Sequence, residues 1–91
     1  MQIVRDAHFI VSLQNILDLI AQDSLDRAVD FYELLNHKIE ELVHMPLKFR
    51  QSRFHSDPNI RDLIFKGYVI PYLIDNDTIV ILNIFKAKRY D

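Results

Sequence analysis

Three apolar runs set close together leave this chain few ways to fold. From Ile60 to Phe85 the sequence reads IRDLIF, YVIPYLI and TIVILNIF, joined only by KG and DND. Links of that kind are tight-turn signals, so three strands in an antiparallel meander are expected. Pro71 falls inside the second run. It has no N–H to give to a ladder, so the strand should bulge there or turn the proline nitrogen away from a partner. The third run is almost wholly apolar, which predicts a central strand buried on both faces.

Upstream the period changes. MQIVR alternates and reads as a short first strand. In DAHFIVSLQNILDLIAQD, Phe9, Leu13, Ile16, Leu17 and Ile20 recur at three- and four-residue steps, with Ser12, Asn15 and Asp18 opposite. That is an amphipathic helix with Asp6 near its N-cap. A second helix follows in QDSLDRAVDFYELLNHKIEELVHMP, with Asp23 or Ser24 as its cap. Its inner stripe is Ala28, Phe31, Leu35, Ile39 and Leu42, and Pro46 helps to stop it. Only AQDS separates the two helices, so they should form an antiparallel hairpin. The predicted order is β-α-α-β-β-β over residues 1–91, one α+β domain with a helical hairpin packed on a small, mainly antiparallel sheet.

Composition narrows the chemistry. The chain has 91 residues, no cysteine and a single glycine, Gly67. Thiol catalysis, Cys-ligated metals and a glycine-rich phosphate loop are therefore excluded. No apolar run is long enough to span a bilayer, and the N-terminus lacks a signal-peptide layout, so a cytoplasmic protein without membrane contact is expected. His37, Glu40, Glu41 and His44 share a helix, but ordinary pairs on a wet helix face explain them better than a metal. No cofactor is implied. Ser12, Ser24, Ser52 and Ser56 have capping, surface or turn explanations instead of a nucleophilic triad.

Charge is unevenly placed. Residues 1–45 carry three bases against eight acids, a net of −5, while residues 46–91 carry eight against five, a net of +3. KFRQSRF interleaves Lys48, Arg50 and Arg53 with Phe49 and Phe54. The phenylalanines are read as anchors of a connecting loop, ahead of a nucleic-acid platform. FKAKRY ends the last strand with Lys86, Lys88 and Arg89, an anion-binding edge or a charged end that resists stray pairing. Tyr68 and Tyr72, four apart in one strand, share a face.

At these residues the chain resembles the ParE/RelE superfamily of toxins from type II toxin–antitoxin modules. The likeness runs through Gly67-Tyr68, the YVIPY strand from Tyr68 to Tyr72, the acidic turn Asp75-Asn76-Asp77, Ile79 to Leu82, and the basic segment Lys86 to Arg89. Ala21, Asp23 or Ser24, and Ala28 match the helix junction of the ParE (plasmid stabilisation) branch. The resemblance implies a growth-arresting toxin neutralised by a cognate antitoxin, free as a homodimer or held in a toxin–antitoxin hetero-oligomer. RelE-like members cut messenger RNA on the ribosome, and ParE-like members poison DNA gyrase. RNA-cleaving relatives carry an Arg where this chain has Val69 and a catalytic His where it has Lys86. Tyr90 stands too close to match their terminal tyrosine. The resemblance therefore favours the gyrase branch over an endoribonuclease, with an inert antitoxin-binding member as a further alternative. No catalytic residue is assigned. Arg61, Lys66, Tyr68, Tyr72, Lys86, Lys88 and Arg89 are the candidates for contacting the antitoxin or the target.

Overall fold

The computed structural model describes residues 1–87. Its elements are β1 (Gln2–Arg5), α1 (Ala7–Asp23), α2 (Leu25–Glu41), β2 (Ile60–Phe65), β3 (Tyr68–Asp75), β4 (Thr78–Ile81) and β5 (Phe85–Lys86). This is the predicted order with the last run cut in two.

Helix α1 starts at Asp6, whose carboxylate accepts the backbone N–H of His8 at 2.8 Å. The helices meet at one residue. Ser24 holds extended backbone, donates its N–H to the Ile20 carbonyl at 3.0 Å, and accepts the Arg27 N–H on its hydroxyl at 3.2 Å. It therefore satisfies one orphan group at each helix end. Ser24→Ala should lower stability by about 1 kcal/mol, read as a shifted urea midpoint at unchanged slope. An unchanged midpoint would mean water replaces the cap without loss.

The predicted stripe of α2 is the buried one: Ala28, Phe31, Leu35, Ile39 and Leu42 are all buried. On α1, Phe9 and Leu13 are buried, while Ile16, Leu17 and Ile20 are partly covered against the core. The second helix ends at Glu41, short of Pro46. Its last turn tightens into three-residue bonds, Leu42 to Ile39, Val43 to Glu40 and His44 to Glu41.

The sheet order is β1-β4-β3-β2, with β1 parallel to β4 and β2-β3-β4 an antiparallel meander. Lys66 (φ 49°) and Gly67 (φ 82°) both take left-handed backbone at the β2–β3 turn. That is the signature of the type I′ turn, whose twist suits a two-residue hairpin. Across the sheet, Leu63, Phe65, Ile70, Tyr72, Ile79, Ile81 and Ile84 join Phe9, Phe31, Leu35 and Ile39 in one core.

The last apolar run departs from expectation in two respects. It is not one strand, and although β4 is central, between β1 and β3, it is not fully buried on both faces: Val80 is half-buried. Burial on both faces belongs to β3, where Val69, Ile70, Pro71 and Tyr72 are all buried. The cause is Pro71. Between the pairs Tyr72–Ile81 and Val69–Phe85, β3 advances three residues and its partner advances four. The extra residue is a bulge opposite the proline. Leu82 still donates to the Pro71 carbonyl at 2.9 Å, and the Asn83 side chain accepts the Ile84 N–H at 2.9 Å.

Candidate functional site

The bulge resets which side chains face the helices. Ile79 and Ile81 point into the core, and strict alternation would send residues 83 and 85 the same way. With one residue inserted, Ile84 enters the core instead, and Lys86 comes opposite Tyr68. Phe85 turns to the far face, where its ring meets Phe54 edge-on at 5.0 Å.

Lys86 thus reaches a cleft of about 400 Å³ between the β2–β3 turn and the start of α2. The cleft is lined by Ile20, Arg27, Asp30, Phe31, Lys66, Tyr68 and Lys86. Its floor is aromatic: Phe31 meets Phe65 at 5.3 Å and Tyr68 at 5.4 Å, both edge to face. The cations rest on these rings. Lys86 Nζ lies 5.1 Å from the Tyr68 ring centre, and Lys66 Nζ lies 5.6 Å from that of Phe65. Such contacts hold an ammonium in place without neutralising it. Arg27, Lys66 and Lys86 form no ion pair among the described residues. Three cations against Asp30 make a concave positive site on a chain whose net charge is −2.

Of the residues singled out from sequence, Lys66, Tyr68 and Lys86 converge here. Arg61 and Tyr72 do not. The Arg61 guanidinium donates to the Phe49 carbonyl at 2.6 Å, and the Tyr72 hydroxyl donates to the Pro46 carbonyl at 2.7 Å. Both fasten the 46–50 connection to the sheet. Phe49 packs against the core from the same connection, as an anchor should. Lys88 and Arg89 lie outside the described residues. Arg27 and Asp30 were not foreseen. A signal for them exists: Arg27 immediately precedes Ala28 and stands one turn before Phe31, on the flank of the inner stripe.

A second feature lies on the outer side of the hairpin. A groove of about 550 Å³ between the helices is lined by Leu17, Ala21, Leu25, Ala28, Val29 and Tyr32, with Gln14, Asp18 and Glu33 at its margins. Leu25 is 70% exposed and Tyr32 47%. Apolar side chains this open on one face mark a contact surface more often than scattered exposure does.

The family profile described as "ParE toxin of type II toxin-antitoxin system, parDE" matches residues 6–90. No curated protein matches the sequence. Among solved structures, the fold is similar to a chain of the "Chromosomal ParDE TA system from P. aeruginosa", with a TM-score of 0.79, 16% identity and 97% of each chain covered. At that identity the likeness concerns the fold. The family match spans the helical hairpin, the meander and the cationic cleft alike, and the chain belongs to the ParE toxin family of type II toxin–antitoxin systems.

Proposed function

We propose that residues 1–91 act as one toxin domain in the cytoplasm, that the toxin inhibits DNA gyrase and arrests growth, and that a cognate antitoxin neutralises it. Antitoxin binding is supported by the open groove between α1 and α2, a surface suited to the apolar face of a partner segment. The similar solved chain belongs to a chromosomal ParDE system.

The observation that carries the choice of gyrase over RNA cleavage is residue 69. Cleavage at a 2′-hydroxyl needs a positioned base, an acid for the leaving oxygen, and cations for the phosphorane. RNA-cleaving relatives are expected to place an arginine at position 69. Here Val69 is 1% exposed, and it alternates with Tyr68 onto the face away from the cleft. Among the described residues no histidine lines the cleft. The described cleft residues thus supply cations that could hold an anion, with Asp30 the one carboxylate among them.

The test is gyrase supercoiling of a relaxed plasmid with increasing purified protein. Inhibition with trapped, cleaved DNA, relieved by the antitoxin, is the expected result. Full gyrase activity at large excess of folded protein would overturn it. Cleavage of ribosome-bound message would then identify the alternative target.

A further inference from the structure

The cleft formed by Arg27, Lys66 and Lys86 carries a more specific assignment. Lys66 occupies the first central position of a type I′ turn with φ 49°. Asparagine, aspartate and glycine adopt that backbone readily, and a lysine there costs about 1 kcal/mol. Turn chemistry alone therefore does not favour lysine at this position. What the lysine gains is its place: the turn holds its ammonium over the Phe65 ring, at the rim of the cleft. The Pro71–Asn83 bulge delivers a second ammonium, Lys86, over Tyr68. Two local departures from regular structure thus bring two cations to one hollow, which Arg27 also lines.

We infer that this cleft is the receptor for a carboxylate side chain on an extended peptide of acidic and apolar residues. The peptide's source is the antitoxin tail, so this assignment rests on the neutralisation proposed above. Charge distribution favours a peptide over a nucleic-acid backbone. Residues 1–45 carry a net charge of −5, and Asp30 lines the cleft itself. A polyanionic strand would run onto that acidic hairpin. A single carboxylate needs only the cleft, and apolar neighbours can rest on Ile20 and Phe31.

The first arm of the test needs no antitoxin. Isotope-labelled full-length protein is titrated with the blocked peptide Leu-Glu-Leu-Glu and with its glutamine counterpart, followed by amide NMR shifts. Saturable shifts at Lys66, Gly67, Tyr68 and Lys86 with the glutamate peptide alone are expected. Lys66→Asn with Lys86→Gln should abolish them while the protein stays folded, because asparagine suits the turn. Equal shifts with the glutamine peptide, or none at large excess, would overturn the assignment. Saturation by inorganic phosphate or a short oligonucleotide, with no response to the peptide, would overturn it in favour of a phosphate backbone.

The second arm measures antitoxin affinity at low and high salt. The double variant should bind about tenfold more weakly and lose most of its salt dependence, on the scale of a charge-assisted contact. Affinity unchanged within twofold would also overturn the assignment. If the wild-type protein does not bind the antitoxin at all, the neutralisation reading fails. The peptide arm still decides the cleft.

Discussion

Leu35→Ala should cost about 3 kcal/mol of folding stability, within the range measured for leucine truncation in packed cores. Leu35 is 0% exposed and lies midway along the inner stripe of α2, between Phe31 and Ile39. It belongs to the one core that the helices and the sheet share, so the vacated volume cannot collapse without moving an element. A domain of this size has on the order of 5–15 kcal/mol in total, so the variant should melt on the order of 12–24 °C lower. The control is the neighbouring residue. Leu34 is 48% exposed, and Leu34→Ala should stay within about 0.5 kcal/mol. Equal losses at the two positions would mean that the helix is rotated about its axis from the arrangement described. The comparison bears on function as well, because the same rotation sets Arg27 and Asp30 against the cleft.

How much of this could be read beforehand differs from element to element, for physical reasons. Phe31, Leu35 and Ile39 were legible because burial on a helix repeats every three to four residues, and nothing in α2 competes with that signal. The β2–β3 turn was legible from Gly67, the one glycine of the sequence, because two-residue hairpin links draw on few residue types. Pro71 predicted a disturbance but could not say which strand would absorb it. The structure places the extra residue in the facing strand, at Leu82 to Ile84, where Asn83 supplies an acceptor for the Ile84 amide. That detail reverses the facing of Lys86 and so decides whether a cleft exists. Arg27 was hidden differently. It belongs to an acidic half of the chain, where the net charge of −5 over residues 1–45 masks a single arginine. Arg61 and Tyr72 looked like surface chemistry in a strand pattern. Their polar ends are instead taken up by the carbonyls of Phe49 and Pro46, acceptors in a connection whose path no periodicity encodes.

Tyr72 supplies a pH dependence whose sign can be worked out. Its side chain is fully buried, and burial pushes its phenol from 10.0 to about 12; the nearby Arg61 charge opposes that shift without cancelling it. The folded state therefore holds its proton after the unfolded chain has released it. Below pH 10 the two states are equally protonated, and the full stability is present. Between about pH 10 and pH 12 the unfolded state gains, and this residue's contribution is lost at about 1.4 kcal/mol per pH unit. Tyr72→Phe removes the titration along with the hydroxyl. At neutral pH the variant should be about 1 kcal/mol less stable, since the Pro46 carbonyl loses its donor. At alkaline pH the order should close and then reverse, with the phenylalanine protein the more stable near pH 12. Urea midpoints of both proteins across that range give the difference curve, and phenolate absorbance reports the same proton directly. Parallel curves would mean that Tyr72 ionises alike in the two states, and the Pro46 contact that pins the 46–50 connection would have to be open in solution.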